Sequence, residues 1–356
     1  MFVKFSKMQG LLYLSRFLSA LVLFVLIAKA NVWVDTLSNT ILVLGYRFFI
    51  IFAPFFLIFG HRNIAAICFA LAGAGVFLWM HSIDLLGAIL IAMGMAVGGY
   101  VLKFHAAKTS GGAAGNKISL NVGSFLSGIL IAAFAFSQLH FLAVLLGLMV
   151  IVTVASLITR KIELEVPAHH QNGFSIRAFF SWRGVAWSLV GIAIGIKMIG
   201  IFSILPQYLI KSTGHLPEWY GFAIALNALV VIFLQAPIMV FAKKLSLYQG
   251  LFFLLLAMLI LSAPGFFHVD HLAGAIIWTL LLSLIECVIT YLDTVAVHDG
   301  GLLPKESCWG IGSALTVLLM RELPVNFSAE LVGGLGVVAV LGSMLIFKLV
   351  RRDDMF

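Results

Sequence analysis

Apolar runs about as long as a membrane-spanning helix follow one another along almost the whole chain. Segments such as 48–60 and 251–267 contain no charged residue, and only 10% of all residues are charged. Soluble domains carry roughly a quarter charged residues. The runs are continuous, whereas strands of a membrane barrel alternate apolar and polar residues. Because each backbone amide in hydrocarbon must be satisfied within its own segment, we expect an all-α polytopic membrane protein.

We predict twelve membrane-spanning helices, since a bilayer core requires about 20 apolar residues per helix. The predicted spans are 9–29, 39–60, 63–80, 83–107, 119–138, 140–159, 185–210, 219–242, 247–267, 272–297, 308–323 and 328–350. The span 308–323 is short and ends at Arg321, Glu322 and Pro324. If that segment does not cross the membrane, the count is eleven and the C-terminus changes sides.

The basic residues indicate an orientation in the membrane. With a cytoplasmic N-terminus, sixteen lysines and arginines fall in cytoplasmic loops and tails, and the opposite loops hold only Lys29, Lys211 and Arg321. Cytoplasmic loops are enriched in these residues, so both termini are predicted to be cytoplasmic. We expect the protein to lie in the plasma membrane, specifically in a bacterial inner membrane. The net charge of +8 thus reports topology and does not indicate nucleic-acid binding.

Residues 160–184 form the longest polar connection and separate two sets of six predicted spans. We predict an N-terminal six-helix bundle at 1–159, a cytoplasmic linker at 160–184 and a C-terminal six-helix bundle at 185–356. The glycine-rich segment 108–118 lacks the order of a phosphate-binding loop, and we interpret it as a flexible turn. The other loops are too short for an extramembrane catalytic domain. We expect a monomer that is not an enzyme and holds no cofactor or metal.

The segment 203–246 resembles the seventh and eighth helices of the major facilitator superfamily. The matching features are "LPQYL" in span 7, Gly221 opening span 8, and "NAL" and "QAP" beginning at Asn227 and Gln235. Span 10, with Glu286 near its middle, and the Gly-Gly-Leu-Leu-Pro turn after it continue the match. With the six-plus-six layout, the resemblance covers essentially the whole chain. It implies a secondary transporter with alternating access and a central cavity lined by spans 1, 4, 7 and 10.

Ionisable residues inside the spans are the candidate functional residues, because charge within a bilayer is costly. Arg16, Lys197, Glu286 and Asp293 lie on spans that the resemblance places around the cavity. Lys197 lies about 18 Å and Glu286 about 21 Å from the start of its helix, at 1.5 Å per residue. Both are too deep for an easy escape to the headgroups. Arg16 is shallow enough for its side chain to snorkel to the cytoplasmic face, and Asp293 is close enough to that face to be solvated.

Glu286, Thr290 and Asp293 occupy positions i, i+4 and i+7, which form one stripe of a helix. A carboxylate away from bulk water can take up and release a proton near neutral pH. Glu286, with Asp293, is therefore the predicted proton-coupling residue. A static ion pair between Glu286 and Lys197, tying two helices together, is the alternative. The two interpretations are compatible if a substrate exchanges with the pair.

Arg16 and Lys197, with Glu286 and Thr290, are the predicted substrate-binding residues. Arginine donors bind carboxylate or phosphate in a planar fork, which favours an anionic substrate, although snorkelling also explains Arg16. Arg47 lies in the middle of span 2 with no acid on its own helix. We expect it to have a structural role at the interface between the bundles, facing Glu322 or a carbonyl. The residues assigned to this interface or to gating are Arg47, Arg62, Lys243 and Lys244.

Together these features predict a secondary active transporter that exports a small metabolite or xenobiotic, with an anion favoured as substrate and a proton as coupling ion. Import or symport of an organic anion is one alternative. A non-transporting membrane receptor or assembly factor on the same scaffold is another. A membrane-embedded enzyme would need acids and histidines clustered at one interface, and here they are scattered along the chain.

Overall fold

The structure, a computed structural model, describes residues 7–58, 63–107, 112–133, 137–159, 179–215, 217 and 219–353. Within these ranges the chain consists of α-helices and short 3-10 turns, with no β-strand, which confirms the predicted all-α class. The chain divides by its contacts into two compact units, residues 1–171 and 172–356. Most of the predicted linker lies outside the described residues, so its role stays a prediction.

The first unit is a bundle of six helices in the described residues. They are α1 (Lys7–Trp33), α2 (Thr36–Ile58), α3 (Ile64–Met80), α4 (Asp84–Ala107), α5 (Gly112–Ala133) and α6 (Gln138–Thr159). Their core includes Phe69, Trp79, Ile91 and Leu142, all nearly inaccessible. Helices α3 and α4 approach so closely at Gly94 that a Cβ there would collide with the Cys68 carbonyl. This close approach draws the middle of the bundle together.

The second unit contains seven α-helices in the described residues. They are α7 (Trp182–Thr213), α8 (Tyr220–Ala242), α9 (Leu247–Ser262), α10 (Leu272–Ile289), α11 (Tyr291–His298), α12 (Leu302–Glu322) and α13 (Val325–Asp353). Only Thr290 separates α10 from α11, and its φ of −57° and ψ of −25° are helical. The two segments therefore form one rod, which corresponds to the predicted span 10.

Helices α7 and α12 pack through glycines. Gly191 and Gly195 are four residues apart on α7, and a Cβ on either would collide with a backbone carbonyl of α12, at Lys305 and Trp309 respectively. Gly312 of α12 lies equally close to the backbone of α7. Small residues at this spacing let membrane helices approach at backbone distance. The contact fixes α12 against the helix that carries Lys197.

The predicted flexible turn at 108–118 is wrong for the residues that the structure describes. Residues 112–118 form the first two turns of α5, which begins seven residues before the predicted span 5. The ring of Tyr13 on α1 lies against Gly115, where a Cβ would be 2.5 Å from it. The glycine is thus a packing position within a helix, and Asn116 beside it is buried.

The predicted span 11 began six residues too late. Helix α12 begins at Leu302 and has 21 residues, which is enough to cross a hydrocarbon core. The prediction placed Lys305 in a loop because it is charged, as is Glu306 beside it. In the structure both side chains lie inside the helix and are almost fully buried. Span 9 is shorter than predicted, since α9 ends at Ser262, ahead of Pro264.

Eight of the described helices are long and apolar enough to cross a membrane, and α3 and α9 are shorter apolar helices. Large hydrophobic side chains on the outside of the bundles, such as Phe233 and Val338, are exposed. Apolar surface of this extent is stable in lipid and not in water. The chain is therefore an integral membrane protein. With α10 and α11 counted as one helix, twelve membrane crossings stay a prediction.

Candidate functional site

Lys197 and Glu286 form an ion pair inside the second unit. The Lys197 Nζ of α7 donates to Glu286 Oε2 of α10, and the two side chains are 0% and 4% exposed. A buried charge is costly unless it is paired, so each side chain holds the other in its ionised form. Protonation of Glu286 would remove its negative charge, and the Lys197 ammonium could then bind another anion.

A buried polar stripe on α10 continues from Glu286 towards α8. Ser283 donates to Asn227 Oδ1 at 2.7 Å, and the Gln235 amide donates to the Cys287 carbonyl at 3.0 Å. The Thr290 hydroxyl donates to the Glu286 carbonyl at 2.8 Å. All of these side chains are buried. The network holds α8 against α10 and fixes the backbone around Glu286, which restricts the position of its carboxylate.

Asp293 is only partly open to solvent, and it is paired with a lysine. Lys305 of α12 donates to Asp293 Oδ1 at 2.6 Å, and Asp293 keeps only 15% of its side-chain surface exposed. The same ammonium also donates to Glu306 Oε1. The side chains of Lys305 and Glu306 are 1% and 3% exposed. These three residues, the Asp293–Lys305–Glu306 triad, connect α11 to α12.

A more exposed set of contacts lies at the start of α7. Trp187 Nε1 donates to Asp299 Oδ2 at 2.6 Å, and Arg183 Nη1 lies 3.5 Å from Asp299 Oδ1. The Trp187 ring fits against Gly301, where a Cβ would collide with it. These contacts fix the loop between α11 and α12 to α7. The loop in turn positions the first turn of α12, which carries Lys305.

The first unit holds its membrane arginines in a different setting. Arg16 of α1 lies over Gly99 of α4, where a Cβ would be 2.6 Å from the guanidinium. Arg16 and Arg47 both lie within electrostatic reach of the Tyr46 hydroxyl. Arg47 Nη1 donates to the Val43 carbonyl of its own helix at 2.6 Å. The sequence suggested either Glu322 or a carbonyl as the partner of Arg47. The structure shows a carbonyl, and Glu322 is not among the described side chains.

The structure places the remaining predicted residues apart from these contacts. Lys243 and Lys244 are exposed at the end of α8. Arg62 lies outside the described residues. Arg16 belongs to the first unit and Lys197 to the second, so the structure of each unit does not test their joint use in binding an anion.

Sequence reasoning missed several side chains of this site. Asn227 and Gln235 were noted only for their resemblance, and Ser283, Lys305 and Glu306 were not assigned. The signal that would have found Asn227 and Gln235 is a lone amide within an apolar run, because such a group must find a partner in a bilayer. Lys305 and Glu306 required knowledge of α12, whose start was placed after them.

Solved transporter structures share this fold over nearly the whole chain. The nucleoside transporter NupG matches with a TM-score of 0.65 at 13% identity, over 96% of this chain and 100% of that one. A bacterial homologue of the iron transporter ferroportin, in the outward-facing state, matches with a TM-score of 0.64 at 14% identity, over 97% and 100%. The peptide transporter POT in complex with sulfate matches at 0.61 and 14%, over 99% and 96%.

All three are transporters of the major facilitator type, which confirms the resemblance at the level of the fold. No family model and no curated protein sequence matches this chain.

Proposed function

We propose that this protein is a secondary active transporter that couples the movement of a small solute to a proton through the Lys197–Glu286 pair. The observation that carries the proposal is this pair of opposite charges, buried in the bilayer region of a fold that peptide, nucleoside and iron transporters also have. Ionisable residues inside membranes are expensive to maintain, and in transporters they mark substrate and proton pathways.

Proton transfer to Glu286 supplies a direct coupling step. When Glu286 takes up a proton, its carboxylate becomes a neutral carboxylic acid and its attraction for Lys197 falls. The ammonium of Lys197 then binds the carboxylate or phosphate of an anionic solute in place of Glu286. When the solute leaves, Lys197 returns to Glu286, which releases the proton. Each cycle thus couples solute occupancy to proton occupancy because the solute anion and the Glu286 carboxylate compete for one ammonium, and a proton on Glu286 decides the competition in favour of the solute.

The substrate is proposed to be a small organic anion. Arg16 in the first unit keeps a permanent positive charge that suits a carboxylate or phosphate. Because the coupling step binds proton and solute together, an inward proton gradient would drive import of an organic anion, and export, the direction expected from the sequence, would require an outward gradient of the solute itself; transport assays distinguish the two directions. The solutes named for the structural neighbours differ from one another, so the fold alone favours none of them.

Orientation belongs to the same proposal. The concentration of lysines and arginines in alternate loops and in both tails supports cytoplasmic termini in a plasma membrane. Single cysteines introduced at His215, in the segment before α8, and at Lys243, directly after α8, flank this helix. In intact cells an impermeant maleimide is expected to label the first and not the second. Labelling of Lys243→Cys alone would contradict the orientation.

Transport in liposomes tests the coupling. A ligand-induced thermal shift across dicarboxylates, monocarboxylates, nucleosides and dipeptides first selects the solute. Its addition to liposomes holding the wild-type protein is expected to change the internal pH, which a trapped pH-sensitive dye reports. Glu286→Gln should lose this proton flux and keep exchange of solute between the two sides.

The matched control is Glu330→Gln, which removes a carboxylate from an exposed position on α13 of the same unit. This variant is expected to transport solute and protons as the wild type does. Unchanged dependence on the pH gradient in Glu286→Gln would remove the coupling role. Absence of solute flux in the wild type under every gradient would contradict transport itself.

A further inference from the structure

A groove on the side of the first unit is lined entirely by hydrophobic side chains among the described residues. Its volume is about 320 Å³. Helix α4 contributes Met93 and Val97 to it, α3 contributes Ile67 and Cys68, and α2 contributes Phe56. The thiol of a buried cysteine behaves as a small hydrophobic group. The groove thus offers no charge to the solute proposed above, and the coupling step leaves it without a role.

The groove exists because α2 and α3 both pack against α4 and hardly touch each other in the described residues. Gly94 of α4 lies so close to α3 that a Cβ there would be 2.2 Å from the Cys68 carbonyl. On the other side, a Cβ on Gly45 of α2 would be 3.5 Å from the Ala92 side chain of α4. Helix α4 therefore forms the floor, where Val97 is fully buried, and α2 and α3 form the two walls.

The groove opens towards the outside of the bundle. Ile67 and Phe56 line it and keep 52% and 37% of their surface exposed. Large apolar side chains exposed in this way are stable against hydrocarbon and not against water. The lining residues of α3 extend from Ile64 to Leu71, which is about the first 10 Å of that helix at 1.5 Å per residue. The open side therefore faces lipid near one end of α3.

The volume of the groove indicates what fills it. Protein interiors contain few voids larger than a water molecule, so a space of about 320 Å³ exceeds an ordinary packing defect. An apolar cavity of about 150 Å³ holds one benzene ring, and twice that volume accommodates roughly a dozen carbon atoms. An empty groove would leave its walls without partner atoms and lose their dispersion attraction. Hydrocarbon chains are the filling that the surrounding bilayer supplies.

We propose that this groove binds one acyl chain of a membrane phospholipid. The chain lies on α4 between α2 and α3 and is contacted from three sides. Side chains on the outer surface of the second unit, such as Phe233 and Val338, are 71% and 68% exposed and contact lipid from one side only. The bound chain supplies the contact that α2 and α3 do not make with each other. In the orientation proposed above, it belongs to a lipid of the cytoplasmic leaflet.

Native mass spectrometry of the full-length protein in mild detergent tests whether the lipid is retained. The wild type is expected to carry one phospholipid per chain. Ile67→Trp places a larger side chain at the groove and should lose that lipid. Val338→Trp is the matched control, because it adds the same ring at an exposed position of α13, and it should keep the lipid. Equal retention by the two variants would overturn the proposal.

The wild type provides a measurement that requires no variant to fold. A phospholipid with a photoactivatable diazirine on its acyl chain is incorporated into nanodiscs with the protein, and labelled peptides are identified after irradiation. Labelling is expected to be stronger at Ile67 and Met93 than at Phe233 and Val338. Uniform labelling of these four positions would show ordinary contact with bulk lipid and overturn the proposal.

Other occupants of the groove give different results in the same mass spectra. A wild type that retains only detergent, or that appears as a dimer without lipid, would contradict a bound phospholipid. Neither measurement requires solute flux. Loss of the lipid-binding result would therefore leave the coupling role of Glu286 intact, and absence of proton-coupled transport would leave the lipid site intact.

Discussion

The two units of this protein hold charge within the membrane in opposite ways. In the first unit, Arg47 donates one hydrogen bond to a backbone carbonyl and Arg16 lies over a glycine, and the acids in its described residues, Asp35 and Asp84, are at helix starts. In the second unit, two buried lysines contact carboxylates. Arginine stays protonated in proteins, whereas a lysine–carboxylate group changes with its proton. The first unit thus holds fixed positive charge, and the second holds ion pairs, one of which we propose responds to pH.

The largest expected difference concerns stability. Lys197→Met would remove the ammonium that compensates the buried Glu286 carboxylate, which we expect to lower the free energy of unfolding by about 3–5 kcal/mol. Lys197→Met with Glu286→Leu should recover most of that loss, since a hydrophobic pair of similar volume has no charge to satisfy. Unfolding by SDS, followed by tryptophan fluorescence in mixed micelles, measures both variants.

Arg47→Met is the comparison in the first unit. It removes a hydrogen bond to a carbonyl and no carboxylate, so we expect a loss of about 1 kcal/mol. If Arg47→Met lowers the free energy of unfolding as much as Lys197→Met does, the two units do not differ in how strongly they depend on their buried charges.

An effect smaller than that of Lys197→Met is expected where helices pack closely through glycines, as they do in both units. Gly191→Ala in the second unit and Gly94→Ala in the first would each press a Cβ against a backbone carbonyl. We expect each to lower the free energy of unfolding by about 1–3 kcal/mol, as overpacking does. The same SDS titration applies.

Gly147→Ala on α6 is the matched control, because nothing lies within 4 Å of a Cβ there. Alanine favours a helix over glycine by about 1 kcal/mol, so this variant should be as stable as the wild type or slightly more so. Equal destabilisation by all three alanines would show that the glycines are not packing positions.

The smallest expected effect lies outside the membrane, at Asp35 before α2. Its carboxylate accepts hydrogen bonds from the backbone of Leu37 at 2.9 Å and from the Ser38 hydroxyl at 2.6 Å. The bond from Ser38 holds the pKa of Asp35 below its ordinary value of 3.8. The contribution to stability is therefore complete above that value and is lost as the pH falls through the lower pKa of the folded state.

Asp35→Asn should consequently show a slightly lower melting temperature at neutral pH and a flatter decline on acidification than the wild type. Melting curves measured from neutral to strongly acidic pH test this, with Thr36→Ala as a control at the neighbouring exposed position. A decline as steep in Asp35→Asn as in the wild type would exclude this carboxylate as its source.

The apolar runs were sufficient to predict the helices, because a continuous apolar segment in hydrocarbon can satisfy its backbone hydrogen bonds internally only as a helix. They were insufficient at Lys305 and Glu306, where an apolar run stops although the helix does not. A charge can lie within a bundle when a partner from another helix neutralises it, and Asp293 is separated from Lys305 by a loop. Similarly, Gly115 is typical of a turn in the sequence. In the structure it is a packing position, because the ring of Tyr13 from a different helix lies against it.

The ion pair between Lys197 and Glu286 was one of two interpretations of the sequence, since depth within the helix indicated that both side chains need a partner. The depth of Lys197 and Glu286 within their spans did not indicate which faces of the neighbouring helices contact the pair. The hydrogen bonds from Gln235 and Ser283 depend on the rotation of α8 and α10 about their axes, and composition alone does not determine that rotation. Buried amides are the residues from which it can be inferred, because each requires a partner in reach.

The short third helix of each bundle has a consequence for the surrounding lipid. Helix α3 has 17 residues and α9 has 16, and at 1.5 Å per residue each is about 25 Å long. Both expose large apolar side chains, including Phe77 on α3 and Phe252 on α9. A hydrocarbon layer of about 30 Å exceeds that length, so the acyl chains beside these helices must compress. If α3 and α9 both cross the membrane as predicted, we expect the bilayer to be thinner beside them, and we expect bilayer thickness to affect the protein.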